Sequence, residues 1–218
     1  TMLSKERTIE VFSKEGEVIE NLPVNRFNKF KAWVNIMYGC DKFCTYCIVP
    51  YTRGKQRSRL MEDILEEVKQ LKEEGYKEIT LLGQNVNAYG IDLKMDDGFA
   101  CLLEEVAKTG VERIRFATSH PRDFSLKMVE VMKDNKNIMP FLHLPVQSGN
   151  NEILKLMGRG YTVEHFKKLY DALKEAIPNI AFSTDMIVGF PNETEEQFLD
   201  TLKLVDYCQF DFAFLFIY

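Results

Sequence analysis

Residues 32–47 read AWVNIMYGCDKFCTYC, an apolar segment that runs directly into a glycine and three closely spaced cysteines. The first six of these residues predict a buried strand, and Gly39 lets the backbone turn where that strand ends. The following loop carries Cys40, Cys44 and Cys47 with the spacing C-x3-C-x2-C. Functional groups of βα folds collect on the loops that follow the strands, so this stretch predicts both a fold class and the position of its site.

The remainder of the chain alternates short strand patterns with amphipathic helix patterns, which is typical of βα units and a parallel sheet. We therefore predict an α/β fold, specifically an open, partial (β/α)6 TIM-like barrel with six parallel strands. Thr194 and Gln197 have capping-box spacing and predict the start of the last helix. The predicted strands are Ala32–Met37, Glu78–Leu82, Arg113–Ala117, Met139–Leu144, Ala181–Val188 and Asp211–Tyr218.

Length and composition fit one principal domain. The 218 residues are 45% hydrophobic, enough to bury a substantial core. Residues 1–31 are predicted to be a linker or an entry segment, and residues 32–218 the catalytic domain. Because the sequence stops at Tyr218 inside an apolar strand pattern, we expect a chain truncated at that end.

Charge and hydropathy limit the partners. The formal charge of -5 provides no overall positive field, so a polyanion would have to meet a local basic patch, and we expect no DNA partner. No apolar run approaches the ~20 residues of a membrane span, and the polar N-terminus lacks a signal-peptide core. These features predict a cytoplasmic protein that does not enter a membrane.

The number of cysteines is odd, and three of the five are crowded together, unlike the paired framework of a secreted disulfide scaffold. A loop with three thiolates can hold a [4Fe-4S] cluster and leave one iron without a protein ligand. A closed zinc site wants four ligands, and no fourth one is close by in the sequence. Cys101 and Cys208 are predicted to be small buried hydrophobic residues outside the cluster.

The C-x3-C-x2-C loop after the first strand of a βα chain resembles the radical S-adenosylmethionine (SAM) superfamily. The resemblance implies that the amino and carboxylate groups of SAM chelate the open iron. An electron from the cluster then splits the sulfonium bond and gives a 5′-deoxyadenosyl radical, which abstracts a hydrogen. It also implies that Tyr46, the aromatic residue before the last cysteine, lies against the adenine, although a packing role stays open.

Further stretches resemble the MiaB-type tRNA methylthiotransferases, which are radical SAM enzymes. The resemblance implies methylthiolation of an isopentenylated adenosine beside the tRNA anticodon, with sulfur taken from a second [4Fe-4S] cluster. That second cluster is expected only in the full-length protein, because the auxiliary-cluster and RNA-binding domains of the family are absent here. The matching stretches are Tyr38–Cys40, Tyr51–Lys55, Leu82–Tyr89, His143–Gly149, Met157–Thr162 and Ile187–Thr194.

Several polar and apolar residues after the predicted strands are candidates for binding SAM. Side-chain amides and hydroxyls can bind its amino group or ribose without adding charge, a guanidinium can pair with its carboxylate, and aliphatic side chains can line the adenine. Turn formation, solvated surface or core packing remains the alternative for each. The candidates are Gln84, Asn85, Gln147, Ser148, Arg159, Ile187 and Val188.

A basic run follows the cysteine loop and consists of Arg53, Lys55, Arg57 and Arg59. Its place at the presumed mouth of the site favours positioning of tRNA phosphates or of the cofactor, against a merely solvated surface. The full-length protein is thus predicted to bind tRNA and to receive electrons from a donor such as flavodoxin or ferredoxin.

Three alternatives stay open. A related methylthiotransferase could act on threonylcarbamoyl-adenosine in tRNA or on a ribosomal protein aspartate, since those relatives share the cluster loop. A zinc-stabilised RNA-binding module without catalysis could use the three cysteines and the basic run. A plain electron carrier would need a fully ligated cluster.

Overall fold

A computed structural model of the chain describes Val18, Arg26 and residues 28–218. The predicted linker over residues 1–31 therefore lies almost entirely outside the described residues.

Short strands alternate with helices along the described chain. The strands are β1 Lys31–Asn35, β2 Met37–Tyr38, β3 Arg57–Ser58, β4 Glu78–Leu82, β5 Arg113–Phe116, β6 Phe141–His143, β7 Ala181–Val188 and β8 Phe212–Ile217. The helices are α1 Val49–Arg53, α2 Met61–Glu73, α3 Gly98–Lys108, α4 Leu126–Asp134, α5 Asn151–Leu156, α6 Val163–Ala176 and α7 Glu195–Cys208.

Six of the strands are parallel and form two three-stranded sheets. One sheet has the order β1-β4-β5 and the other the order β6-β7-β8. A single parallel bridge between Ile114 in β5 and Ile138 before β6 connects the two. The described residues do not close a barrel, so the predicted open α/β fold with six parallel strands is confirmed.

The structure contains a small antiparallel hairpin that was not predicted from the sequence. The predicted first strand, Ala32–Met37, ends as a parallel strand at Asn35, and Met37 pairs instead with Ser58 of β3. Tyr38 pairs with Arg57 in the same ladder. The cysteine loop and α1 lie between the two strands of the hairpin in the sequence, so the loop begins and ends at this hairpin.

The core lies between the sheets and the amphipathic helices. In β1 the side chains alternate, with Ala32 and Val34 buried and Trp33 exposed, as expected for a strand with one covered face. The apolar stripe of α6 is buried through Phe166, and burying such a side chain contributes roughly 1.5–3 kcal/mol. The capping box of Thr194 at the start of α7 is also present. Within the described residues, no helix combines the length and apolar character needed to cross a bilayer.

Candidate functional site

Gly39 makes the turn from the hairpin into the cysteine loop. Its φ is +73°, and a Cβ at this position would lie 2.1 Å from the carbonyl oxygen of Lys55. The backbone N–H of the next residue, Cys40, donates to the carbonyl of Gly54 at 3.2 Å. The two ends of the loop are thus held against each other, in contact too close for any side chain at residue 39.

The three cysteines of the loop are free thiols at the C-terminal end of β1 and β2. Cys40 and Cys44 are buried and Cys47 is half-buried, with a turn in which the Cys47 N–H donates to the Cys44 carbonyl at 2.9 Å. Burial raises the pKa of the Cys40 thiol, which would become a thiolate if a metal replaced its proton. Of the other two cysteines, Cys208 is buried as predicted, whereas Cys101 is partly exposed.

The segment after α5 holds the outer side of the cysteine loop. The N–H of Thr45 donates to the carbonyl of Met157 at 3.0 Å, and its hydroxyl donates to the carbonyl of Leu156 at 3.0 Å. Gly158 has a φ of +70°, and a Cβ there would lie 3.2 Å from the carbonyl oxygen of Phe43. These contacts explain why a glycine precedes Arg159 and bring that arginine to the cysteines.

Arg159 is the buried cation of the site, with 5% of its surface exposed. Its Nη1 donates to the Sγ of Cys44 at 3.6 Å and to the hydroxyl of Tyr46 at 3.3 Å, while Nη2 donates to the carbonyl of Pro145 at 2.8 Å. Its Nε donates to the hydroxyl of Tyr161 at 3.2 Å. Among the described residues no carboxylate forms an ion pair with it. A buried guanidinium without a counterion favours binding of an anion beside the cysteines.

Tyr46 and Ile187 are two of the three predicted adenine contacts, and they come from distant parts of the chain to meet in a small apolar cluster. Ile187 is buried there with Ile153, Met157 and Phe190, and the ring of Tyr46 packs against this group. Burial raises the pKa of Tyr46, which keeps its hydroxyl neutral beside Arg159. Val188, also predicted, is half-buried at the end of β7 and pairs with Ile217 of β8.

The loops after β4 and β5 carry polar atoms that lack partners. Gln84 Oε1, Asn85 Oδ1, Ser119 Oγ and His120 Nε2 are buried and have no hydrogen-bond partner within the part of the chain that the structure describes. Buried polar atoms are nearly always paired, so four of them on neighbouring loops favour a bound polar ligand. Gln84 and Asn85 were predicted from the sequence, whereas Ser119 and His120 were not assigned to the site.

His120 lies among cations and is neutral. Burial, reinforced by the nearby charges of Arg159, Lys42 and Arg122, lowers the pKa of His120 to about 2. Its Nδ1 accepts the N–H of Arg122 at 3.3 Å, which leaves the proton of the neutral ring on Nε2 as a free donor. The sequence signal for this group was available, since Ser119 and His120 follow a strand just as Gln84 does.

Asp123 links the cysteine loop to the loop after β4. Its carboxylate forms an ion pair with Lys42 at 2.8 Å and accepts a hydrogen bond from Nδ2 of Asn85 at 2.7 Å. Sequence reasoning missed this residue because both partners are distant along the chain. Asp92, also missed, accepts hydrogen bonds from Ser58 and Gln56 and braces the hairpin.

The loop after β6 contains the predicted residues Gln147 and Ser148 in different settings. Gln147 is buried, has a φ of +72° and forms an isolated parallel bridge with Met186 of β7. The hydroxyl of Ser148 is fully buried, lies 3.4 Å from that of Thr201 in α7 and accepts the N–H of Asn150 at 3.2 Å. The Ser148 hydroxyl thus braces α7 in this structure, and its predicted contact with ribose stays a prediction.

The basic run is divided by the fold. Arg53 and Lys55 are exposed and Arg57 is half-buried, all on or after α1 beside the cysteine loop. Arg59 is buried, and its Nη1 bonds to the carbonyl of Asn35 at 2.7 Å and to the carboxylate of Glu67 at 2.7 Å. Arg59 therefore joins α2 to the sheet and does not share the surface on which Arg53 and Lys55 are exposed.

The residues present fit an iron–sulfur cluster with bound SAM. Among the described residues, no three His, Cys, Asp or Glu side chains are placed where a single metal ion could bind them together. A cluster does not require that convergence, because it spreads its thiolate ligands over different irons. The buried, carboxylate-free Arg159 and the four unpartnered polar atoms provide a cation, donors and acceptors for a small zwitterionic ligand.

Comparisons with known proteins find similar sequences along the chain. The family model described as the radical SAM superfamily matches residues 34–205. The chain is 60% identical over 217 residues to the tRNA-2-methylthio-N(6)-dimethylallyladenosine synthase of Shouchella clausii, covering 100% of this chain and 42% of the relative. The synthase of Bacillus subtilis is likewise 60% identical, and 43% of its length is covered. The chain thus spans less than half the length of these curated relatives.

Solved structures share the fold at low sequence identity. The radical SAM methyltransferase TsrM from Kitasatospora setae, with cobalamin and a [4Fe-4S] cluster bound, superposes with a TM-score of 0.69 at 16% identity, covering 85% of this chain and 36% of that one. Coproporphyrinogen III oxidase from Escherichia coli superposes with a TM-score of 0.58 at 20% identity, covering 87% and 44%. These likenesses concern the fold alone.

Proposed function

Because this chain belongs to the radical SAM superfamily, we propose that it is the radical-generating core of a tRNA methylthiotransferase. Members of the superfamily use a [4Fe-4S] cluster and SAM. The observation that carries the proposal is the contact of the buried Arg159 with both Cys44 and Tyr46, which joins a cysteine ligand, an aromatic surface and an anion-binding group.

Cys40, Cys44 and Cys47 would hold three irons of the cluster, and the amino and carboxylate groups of SAM would take the fourth. When bound, the cluster supplies the electron that splits the sulfonium bond of SAM. The protein's own part is to bind and orient. Arg159 is suited to the SAM carboxylate, Gln84 and Asn85 offer unpartnered acceptors to its amino group, and Tyr46 with Ile187 forms an apolar surface for the adenine.

Gln147, Ser148 and Val188 have less direct support. Gln147 lies at the end of the same row of strand-following loops, and Val188 neighbours Ile187 on β7, so both remain candidates for ribose and adenine contacts. Ser148 would contribute chiefly by fixing the backbone of its loop against Thr201.

The complete enzyme would act on tRNA, the substrate that the names of the relatives give. We infer that it inserts a methylthio group into an isopentenylated adenosine beside the anticodon, with sulfur from a second [4Fe-4S] cluster outside this chain. Its electrons would come from a small carrier such as flavodoxin or ferredoxin, and its place would be the cytoplasm, where tRNA is modified.

The surface beside the cysteine loop is suited to a single-stranded RNA loop. Exposed Phe43 and Tyr51 meet edge to face, with ring centroids 6.2 Å apart, next to Arg53 and Lys55. Aromatic faces for unstacked bases beside cations for phosphates are the usual combination in RNA recognition. This supports tRNA binding at the mouth of the site despite the net charge of -5.

The first test is anaerobic reconstitution of the chain with iron and sulfide, followed by a dithionite-driven assay for 5′-deoxyadenosine formed from SAM. We expect product from the wild type and none from Cys44→Ala. Cys101→Ala is the matched control, because it removes a thiol that lies outside the loop and should leave the product unchanged. A wild type that retains zinc but never iron would overturn the proposal.

A further inference from the structure

We propose that Asp123 is a positioning residue that fixes the cysteine loop and the Asn85 amide together for SAM binding, an inference that rests on the proposed function. Its two carboxylate oxygens serve different partners. Oδ1 lies 2.8 Å from Nζ of Lys42 and 3.8 Å from Nε of Arg122, and Oδ2 accepts a hydrogen bond from Nδ2 of Asn85 at 2.7 Å. Nothing in the sequence pattern separates Asp123 from an ordinary turn residue.

The first partner belongs to the cluster loop itself. Lys42 lies between Cys40 and Cys44, and its ion pair with Asp123 is largely withdrawn from solvent, with side-chain exposures of 13% and 10%. A pair in this setting is far less screened than one at the surface, and the loss of Asp123 removes the carboxylate with which Lys42 pairs. The carboxylate thus restrains the middle of the loop that carries the thiol ligands.

The orientation of the second partner, Asn85, follows from which of the two side chains can donate a hydrogen bond. An ionised carboxylate only accepts hydrogen bonds, so the amide of Asn85 must present its Nδ2 to Asp123. Its Oδ1 is then fixed as a buried acceptor, and it has no partner within the described part of the chain. An acceptor held in this way can take an N–H of the SAM amino group or a ribose hydroxyl.

The carboxylate is itself held in place before any ligand binds. Asp123 ends a short 3-10 turn, Pro121–Asp123, and its N–H donates to the carbonyl of His120 at 3.0 Å. His120 and Asn87 exchange two hydrogen bonds, of 2.8 and 2.9 Å, that tie this turn to the loop after β4. Asp123 therefore has a fixed position from which it orients both partners.

A purely stabilising ion pair is the competing explanation, and the chain provides a matched control for it. Asp200 on the outer surface of the fold binds an asparagine and a lysine in the same way, with Asn150 at 2.9 Å and Lys203 at 2.8 Å. Asp200→Asn removes the same kind of network away from the cysteines. Asp123→Asn should differ from it in cofactor binding, whatever the two do to stability.

Asp123→Asn keeps an oxygen for Lys42 but turns its amide nitrogen toward that of Asn85. The Asn85 amide must then rotate, and it offers SAM a donor where it had offered an acceptor. We expect the Kd for SAM, measured by equilibrium dialysis on the reconstituted chain, to rise about tenfold. KM should rise in parallel while kcat for 5′-deoxyadenosine formation changes little, the pattern of lost binding.

Two further variants test the contacts of Asp123 with Lys42 and with Asn85 separately. Lys42→Gln should lower iron retention but leave the Kd for SAM of the loaded fraction within about twofold, because the bond from Asn85 to Asp123 remains. The double variant N85D/D123N reverses donor and acceptor between the two positions and again presents an acceptor to SAM. It should recover most of the affinity lost in Asp123→Asn.

The outcomes are distinguishable. If Asp123→Asn and Asp200→Asn change SAM affinity equally, or if the double variant recovers nothing, Asp123 does not position the amide and the inference is wrong. If Asp123→Asn does not fold, which thermal unfolding of the apo chain reveals, Asn85→Asp compared with the double variant carries the same test. A wild type that takes up iron and binds no SAM instead overturns the proposed function.

Discussion

Nη1 of Arg159 donates a hydrogen bond to Sγ of Cys44 across 3.6 Å, although 115 residues separate them in the sequence. The guanidinium is buried, and its other hydrogen-bond partners are the hydroxyls of Tyr46 and Tyr161 and the carbonyl of Pro145. A cation in this position lowers the electrostatic cost of thiolates and of a negatively charged cluster. It also leaves a planar donor group beside the place where a SAM carboxylate would bind.

Arg159→Lys should therefore lower SAM cleavage by at least about tenfold even though the charge is retained. An ammonium cannot span Cys44, Tyr46 and Pro145 at once, and the unsatisfied carbonyl would add a cost of its own. The measurement is 5′-deoxyadenosine formation per bound iron. Arg113→Lys, at the other end of the parallel strands, is the control and should retain normal cleavage, and equal activities in the two variants would contradict the assigned role.

The six parallel strands were predictable because runs of three to eight residues rich in β-branched and aromatic side chains, separated by helix patterns, are recognisable in the sequence. The hairpin of β2 and β3 was not, since strands of two residues have no period to detect. Its pairing depends on Gly39, whose backbone lies against Lys55. The predicted first strand was therefore too long at its C-terminal end.

The cysteine loop could be singled out for a similar reason, because the spacing of its three cysteines is local, and their role as cluster ligands stays a prediction. The roles of Arg59 and Asp123 depend on partners many positions away, Glu67 for the first and Lys42 and Asn85 for the second. Sequence spacing does not reveal whether such an arginine is exposed or paired. Contacts of this kind required the tertiary structure.

Gly39→Ala should destabilise the protein by more than the cost of placing an alanine at a positive φ. Gly39 and Gly75 both have positive φ, +73° and +93°, but only Gly39 has backbone where a Cβ would be, whereas Gly75 has nothing within 4 Å. We expect Gly75→Ala to cost about 1 kcal/mol and Gly39→Ala more than about 3 kcal/mol in the free energy of unfolding. Urea titration with iron retention measures both, and equal costs would contradict the steric argument.

Removal of the charges of Arg53 and Lys55 should weaken tRNA binding in a salt-dependent way. Each phosphate contact contributes about 0.7 to 0.9 to the slope of log affinity against log salt, so the variant R53Q/K55Q should lose roughly 1.5 of that slope. Fluorescence anisotropy with labelled tRNA at several salt concentrations gives the value. K108Q/K203Q is the control, since both lysines lie on outer helices, and an equal loss there would indicate non-specific attraction.

Because His120 is neutral in the folded protein, the free energy of unfolding should depend on pH at values above those where carboxylates titrate. Its folded pKa is lowered from 6.5 to about 2, so below pH 6.5 the unfolded chain binds a proton that the folded chain does not. The contribution of His120 to the free energy of unfolding is fully present above pH 6.5. It declines as the pH falls, by about 1.4 kcal/mol per pH unit once the histidine of the unfolded chain is protonated. Urea titrations between about pH 7 and 4.5 should show the decline in the wild type. His120→Asn should flatten the decline, and an unchanged slope in this variant would mean that the ring is charged in the folded protein.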